Sequence, residues 1–274
     1  MTARALMVQG CSSHAGKSLV AAALCRLYVR RGLKVAPFKA QNMSNNAAVC
    51  PDGAEIGRAQ ALQAEAANVL PTADMNPVLL KPTAGAGCQV VLMGKAIGYR
   101  KAMAYEKLKA RLWPEIMAAL RRLGAANDLI VVEGAGSPAE INLKSREIVN
   151  MKVARHLGCP VLLVVDIDRG GAFAAVVGTL ALLPASERRL IKGWILNKFR
   201  GDARLLASGI RAIERRTGKP CLGVIPFFEH GLDEEDSVGL EGRSERGKPG
   251  APVVAVLKLP HISNYTDFQA LERE

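Results

Sequence analysis

An α/β fold, with a mostly parallel sheet covered by helices on both faces, is predicted by three features of the 274-residue sequence. Short, continuously apolar runs alternate with longer amphipathic stretches, the pattern of strands buried on both sides and joined by crossover helices. Hydrophobic residues make up 49% of the chain, ample for a core on each side of such a sheet, while aromatics are 4%, so Ala, Val, Leu and Ile must fill it. The polar motifs follow the apolar runs directly, at the carboxyl ends of the expected strands, where open α/β sheets bind ligands.

The first strand is expected over residues 5–9 and runs into GCSSHAGKS, residues 10–18, with a helix expected over residues 17–31. Strand, glycine loop, Lys-Ser and helix in that order make a phosphate loop, whose backbone N–H groups and helix N-terminus cradle phosphate oxygens. Its spelling is unusual: five residues rather than four separate Gly10 from Gly16, and Cys11 stands where the first glycine is expected. Gly10, Ser12, Ser13, Ala15, Gly16, Lys17 and Ser18 are the expected nucleotide-binding residues, with Lys17 reaching the β- and γ-phosphates and the Ser18 hydroxyl ligating Mg²⁺.

The second strand, residues 35–38, is followed by Lys39 and the polar run Gln41, Asn42, Ser44, Asn45 and Asn46. A lysine at a strand's carboxyl end can aim at a γ-phosphate or at a carboxylate being phosphorylated. Gln41, Asn42, Ser44 and Asn45 are therefore candidate substrate residues, with a solvated loop as the alternative. A helix expected over residues 56–68 places Glu55 just before it. Glu55 either returns to the site as a further Mg²⁺ ligand or is a carboxylate favoured by the helix dipole. NPVLLKP at 76–82, a strand at 90–93 and a helix at 105–123 come next.

A strand at 129–132 leads into Glu133, Gly134 and Gly136, the position of a carboxylate that holds Mg²⁺ or its water shell. Glu140 and Asn142 on the following loop either face substrate or are surface turn residues. After a helix at 146–157 and a strand at 161–166, Asp168, Arg169 and the Gly170-Gly171 pair form a turn whose exposed backbone can approach a ligand, so Asp168 and Arg169 join the substrate candidates. A helix at 172–183 and a strand at 191–197 end on Asn197, whose amide offers a donor and an acceptor to an adenine edge. Asn197-Lys198-Phe199 is similar to the guanine-reading NKxD of GTPases, but Phe199-Arg200 depart from it, which favours ATP. A helix at 203–216 and a strand at 222–225 complete the alternation. Catalytic work falls to Lys17, Lys39 and Glu133. Lys17 and Glu133 are read as lying on loops outside the core, so their replacement by Ala is expected to abolish turnover and leave the fold intact.

The net charge of +12 raises nucleic-acid binding. Against it, the basic residues are spread along helices (RRG, LRR, ERRL, IERR) with few aromatics among them, which reads as solvated helix faces, or as attraction for a polyanionic small substrate. Six cysteines lie without a C-x-x-C pair or zinc spacing, so neither a metal site nor a disulfide framework is expected. No apolar run approaches the ~18 residues of a membrane span, and a cytoplasmic protein with no membrane partner is expected. Association into a homo-oligomer stays open.

Beyond residue 240 the composition shifts to EGRSERGKPGAP, a linker-like stretch, followed by the strand-like VVAVLKLP and then HISNYTDFQALERE. Residues 1–242 are expected to form one domain, and residues 243–274 a linker and the first strand of a second domain that is cut off; an extra edge strand of the first is the alternative.

GCSSHAGKS, FKAQNMSNNAAV, GAEIGRAQALQAEAA, NPVLLKP, VVEGAGSPAEINL, DIDRGGAFA, LNKFRGD and PHISNYTDF, in this order, resemble the cobyric acid synthase family, glutamine-dependent amidotransferases of cobalamin biosynthesis. The resemblance runs from about residue 5 to the final residue. It implies a P-loop NTPase-like, dethiobiotin-synthetase-like fold. It also implies that ATP phosphorylates the b, d, e and g carboxylates of adenosylcobyrinic acid a,c-diamide, that ammonia attacks each acyl phosphate, and that an amide, ADP and phosphate leave. On matching positions, Lys17 and Lys39 would stabilise the transferring phosphoryl group, Ser18 and Glu133 would hold Mg²⁺, and Asn197 would read adenine. A polyanionic corrinoid fits the positive charge without nucleic acid. The family draws ammonia from a C-terminal glutaminase domain with a nucleophilic cysteine in a glycine-flanked elbow; none of the six cysteines here has that setting, so a synthetase domain using free ammonia is expected.

The rival is a ParA/MinD-type ATPase that binds nucleic acid or a partner as a switch. Such proteins carry a second, signature lysine early in the phosphate loop, and Cys11, Ser12, Ser13, His14 and Ala15 include none. Dethiobiotin synthetase itself is shorter and has no place for several of these segments.

Overall fold

The computed structural model describes residues 3–83, 87–230 and 254–257. Along the chain, β1 (Arg4–Gly10) leads through the phosphate loop to α1 (Lys17–Arg30) and β2 (Val35–Phe38). Three short strands follow, β3 (Gln41–Met43), β4 (Ala47–Val49) and β5 (Glu55–Gly57), and then α2 (Arg58–Ala66). β6 (Val78–Thr83), β7 (Gly87–Leu92) and β8 (Lys95–Lys101) precede the long α3 (Ala102–Ala126). The remainder alternates: β9 (Leu129–Glu133), α4 (Met151–Leu157), β10 (Val161–Asp166), α5 (Ala172–Leu182), the single turn α6 (Ala185–Arg188), β11 (Ile191–Phe199), α7 (Ala207–Thr217) and β12 (Cys221–Pro226).

Six strands pair in parallel in the order β12-β11-β10-β1-β9-β2. Side chains alternate across such a sheet, and the core divides accordingly. Met7, Ala36, Phe38, Ile130, Val132, Leu163 and Val165 pack with Ile116 and Leu120 of α3, Val153 of α4 and Val176 of α5. Their immediate neighbours Val8, Val35, Leu129, Val131 and Val164 pack on the opposite face with Val20, Ala21 and Cys25 of α1. The fold is P-loop NTPase-like, as expected, with helices on both faces. After β1 the chain crosses to β2 on one side, whereas after the neighbouring β10 it crosses to β11 on the other, so the loops leaving β1 and β10 diverge at a topological switch point, where the strand ends open a crevice.

A second sheet, β3-β6-β7-β8, pairs β3 and β6 in parallel and the rest antiparallel, with β4 and β5 forming a separate hairpin. Most of this region escaped the sequence reading. Glu55–Gly57 is strand, and the helix expected from residue 56 begins at Arg58. The strand expected at 90–93 is the end of a longer β7, while β3, β6 and β8 were not expected as strands. β8 is exposed almost throughout, so KAIGYRK never shows the alternation that marks a half-buried strand. The helix expected over 146–157 forms only from Met151, and that expected over 203–216 starts as a 3₁₀ turn, Ala203–Leu206.

The basic residues read as solvated faces are exposed, including Arg30, Arg31, Arg121, Arg122, Arg215 and Arg216. Among the described residues no helix is long and apolar enough to cross a membrane. Of the expected linker and second-domain strand, residues 254–257 are described; they are exposed and belong to no strand, and the rest lies outside the described residues.

Candidate active site

The loop between β1 and α1 is shaped by its neighbours. Gly16 has φ +93°, a left-handed conformation, and a Cβ there would sit 2.0 Å from Asn197 Nδ2, so both backbone and space require glycine. Asn197 Nδ2 donates to the Ala15 carbonyl at 2.9 Å, and Lys198 Nζ donates to the His14 carbonyl at 2.8 Å. β11 carries an irregularity at this point: its register with β12 shifts between Leu196 and Phe199, and Lys198 has φ +62°. Such bulges re-aim side chains next to ligand sites. Here two consecutive residues are turned onto the phosphate loop. Lys198 also pairs with Asp166 at 2.8 Å, tying the loop to the end of β10. Lys17 Nζ donates to the Ser12 carbonyl at 3.0 Å, curling back over the loop it belongs to.

Glu133, at the end of β9, is the hub of the site. Its side chain is fully buried, and four donors surround it. Oε1 accepts from Ser18 Oγ at 2.9 Å and from Lys39 Nζ at 2.9 Å. Oε2 accepts from Gln63 Nε2 at 2.5 Å and, more loosely, from Gln60 Nε2 at 3.4 Å. A carboxylate has about four lone-pair sites, and all are engaged here, so a cation at Oε1 would take the place of the Ser18 or Lys39 proton there. The donors come from α1, the end of β2 and one face of α2, where Gln60 and Gln63 sit three residues apart. Lys17 and Glu133 are 7% and 0% exposed, which corrects the reading of both as residues outside the core: Glu133 lies inside a buried polar network.

The turn after Glu133 is held equally tightly. Asn150 donates to the Ala135 carbonyl at 2.7 Å and accepts from the Ala135 N–H at 3.1 Å. A Cβ on Gly134 would lie 2.1 Å from Asn150 Oδ1. Asn150 in turn is fixed by Glu147, whose carboxylate accepts from the Val149, Asn150 and Lys152 N–H groups.

A cleft of about 780 Å³ opens from the phosphate loop, lined by Gly16, Lys17, Ser18, Lys39, Gln41, Asn42, Gly136, Glu140, Asn150 and Arg169 among others. The structure thus gathers the loop, the polar run after β2, the turn after β9 and one residue after β10. Gln41 accepts from the Tyr105 phenol, and Asn42, 2% exposed, donates to Gln60 Oε1 at 3.1 Å. Other candidates lie elsewhere. Ser44 is buried and bonds the backbone of Asn46 at 3.0 and 3.3 Å, shaping the turn into β4. Asn45 and Asn142 do not line the cleft. Asp168 pairs with Arg200 at 3.2 Å on the surface. Glu55 is not brought to Ser18 and Glu133: the β4–β5 hairpin carries it to Lys81, with which it forms an ion pair.

Sequence reading missed Gln60, Gln63, Asn150 and Lys198. The glutamines lay inside the quoted EIGRAQALQAEA, where a three-residue repeat of amides on an otherwise Ala-rich helix was the available signal.

Ser18 Oγ and Glu133 Oε1 are 2.9 Å apart. Adjacent oxygens around an octahedral Mg²⁺, each bound at ~2.1 Å, are separated by ~3 Å, so this pair fits two corners of such a shell. Among the described residues no three His, Cys, Asp or Glu side chains come together, so the arrangement suits a cation that brings phosphate and water ligands with it.

All six cysteines are free thiols. Burial pushes Cys11 and Cys50 up to about 11 and Cys25 and Cys159 up to about 12, and also raises Cys88 and Cys221. None is a thiolate nucleophile at neutral pH.

Residues 6–236 match the family described as the CobQ/CobB/MinD/ParA nucleotide binding domain. The chain belongs to this family. Within it, the cobyric acid synthase of Desulforudis audaxviator is 60% identical over 275 residues, covering 100% of this chain and 55% of that protein. The cobyric acid synthase of Moorella thermoacetica is 57% identical, covering 99% and 53%. That of Salmonella typhimurium is 54% identical, covering 98% and 53%. The chain spans about half the length of these curated relatives. Among solved structures, the cell division protein FtsY of Thermotoga maritima aligns over 83% of this chain and 63% of its own, at 18% identity and a TM-score of 0.46.

Proposed function

We propose that this member of the CobQ/CobB/MinD/ParA nucleotide-binding family is the ATP-dependent amide-synthetase part of a cobyric acid synthase, acting in cobalamin biosynthesis. Residues 1–242 would form that domain. ATP phosphorylates the b, d, e and g carboxylates of adenosylcobyrinic acid a,c-diamide in turn, transferring the γ-phosphoryl group to a carboxylate oxygen and releasing ADP. Ammonia, free or derived from glutamine as in the family the motifs resemble, then attacks the acyl carbon; phosphate leaves and the amide remains. The observation that carries the reading is the meeting of Lys39 with Ser18 and Glu133 at a phosphate loop that opens into a polar cleft.

The chain's own groups divide the work. Loop N–H groups and the α1 N-terminus hold the β- and γ-phosphates, and Lys17 moves from the Ser12 carbonyl to a phosphate oxygen. Ser18 and Glu133 are the residues that would hold Mg²⁺, directly or through its water; when bound, the cation neutralises phosphate charge. Lys39 has an ammonium poised between Glu133 and the cleft, where it balances the negative charge of the acceptor carboxylate and the transferring phosphoryl group. Asn197 would reach the adenine edge with the part of its amide that the Ala15 carbonyl does not occupy.

The test is ATP turnover with ammonium and the corrinoid diamide in one arm and DNA in the other, with mass spectrometry counting acid-to-amide conversions. Corrinoid-dependent ADP release with amide formation supports the reading. Stimulation by DNA alone would replace it with a ParA/MinD-type switch.

A further inference from the structure

We infer that the outer part of the cleft is a subsite for a non-reacting side arm of the acceptor, a carboxylate or its amide, built from Gln41 and Lys109 and oriented by Tyr105. This rests on the reading of the acceptor as a corrinoid that carries several such arms.

Gln41 on β3 and Lys109 on α3 both line the cleft, though 68 positions separate them in the sequence. Tyr105 joins the two elements. Its phenol is 5% exposed and donates to Gln41 Oε1. Burial holds that phenol protonated far above its ordinary range, so it acts as a fixed donor. An amide whose oxygen is held in this way turns its oxygen end to Tyr105 and its nitrogen end away from it, and among the described residues Gln41 Nε2 has no hydrogen-bond partner.

Lys109 supplies the second donor. Its ammonium lies 5.5 Å from the centre of the Tyr105 ring and bonds Glu106 Oε1 at 2.6 Å. An ammonium has three N–H donors, and Glu106 takes one. The wall therefore offers an NH₂ and an ammonium, both of which donate and neither of which accepts. Nearby, Met43 and Leu143, 55% and 48% exposed, give the same cleft an apolar rim.

A donor-only pair has a chemical consequence. Carboxylate and primary amide both present a carbonyl oxygen that accepts, so such a subsite holds an arm before and after it has been amidated. A site that accepted as well as donated would discriminate between the two. An enzyme that converts four arms in turn must re-bind an acceptor whose mixture of acids and amides changes at every round. The apolar rim suits the flat body that joins the arms, while Lys39 faces the arm that reacts.

Equilibrium dialysis of the corrinoid diamide against the protein tests this, with fluorescent-nucleotide binding measured on the same samples. Lys109→Met and Gln41→Leu should each weaken corrinoid binding on the order of tenfold, with nucleotide affinity unchanged. Gln41→Glu, which keeps the Tyr105 contact but turns the presented end into an acceptor, should weaken it further. Tyr105→Phe should weaken it several-fold. If the unsubstituted protein binds corrinoid and these variants bind it equally well, the subsite is overturned and the proposed reaction stands. If the unsubstituted protein neither binds nor converts corrinoid, the reaction falls and the subsite with it.

Discussion

Lys39 and Glu133, carried to one point by the ends of β2 and β9, form an ion pair of 2.9 Å whose side chains are 4% and 0% exposed. Two buried charges of this kind depend on each other. Removing one partner from a buried pair costs about 3–5 kcal/mol because the survivor is left uncompensated, whereas removing both is often near neutral. Lys39→Met and Glu133→Ala should each lower the midpoint of urea unfolding, and Lys39→Met/Glu133→Leu should recover the part due to the lone charge but not the part due to Ser18 and Gln63, which still lose their acceptor. Turnover should fall by at least ~10²-fold in all three. An intact fold in Glu133→Ala with unchanged stability would show that the network does not bear on folding.

Gly16 and Asn197 bind the loop to β11, with a hypothetical Gly16 Cβ only 2.0 Å from Asn197 Nδ2. Gly16→Ala should abolish nucleotide binding in a titration, since the side-chain amide and the left-handed backbone both exclude a methyl group. Lys198→Met removes the bond to the His14 carbonyl and leaves Asp166 without its 2.8 Å partner. A loss of about tenfold in ATP affinity is expected, from a disrupted charge-assisted hydrogen bond. Equal affinity in Lys198→Met would show that the loop is already rigid without this clamp.

Asn150 lines the cleft and, through its two bonds to Ala135, holds the turn that follows Glu133. Asn150→Ala removes two hydrogen bonds to Ala135 and opens space beside Gly134. The expected cost is about 2 kcal/mol of stability. Its diagnostic is a split in kinetics: kcat should fall while KM for ATP holds, because the phosphate loop is untouched. A parallel rise in KM for ATP would place Asn150 in nucleotide binding instead.

Much of this was legible in the residues. The six-stranded sheet was readable because strands such as Val161–Asp166 are apolar up to their last residue, the pattern of a strand buried on both faces. Lys17, Ser18, Lys39 and Glu133 could be picked out because each ends a strand or opens a helix. What could not be read was which polar groups meet. Glu55 was read as a further cation ligand beside Glu133 or as a helix-dipole carboxylate, and what takes it away from the site is a three-residue hairpin strand too short and polar to carry a periodic signal. Gln60 and Gln63 were hidden for a related reason: on an Ala-rich helix the buried face is marked by what lies opposite it, and that is a carboxylate 70 residues away from Gln63.

Cys11 sits within the phosphate loop, and its thiol, pushed up to about 11 by burial, is a sensitive reporter of the loop's state. The sign is direct. A raised pKa means that the reactive thiolate is scarce at neutral pH, about one molecule in 10³ at pH 8, and grows tenfold per pH unit until pH approaches the pKa. Alkylation of Cys11 by iodoacetamide, followed by peptide mass spectrometry, should therefore be slow at pH 7 and accelerate tenfold per unit up to about pH 10. Phosphate in the loop adds negative charge beside the sulfur and disfavours the thiolate further, so ATP should slow the reaction at every pH. Rapid alkylation that levels off between pH 7 and 9 would mean a thiol with an ordinary pKa, and rapid alkylation independent of pH over that range a lowered one; either would mean a loop more open than the one bound by Asn197 and Lys198.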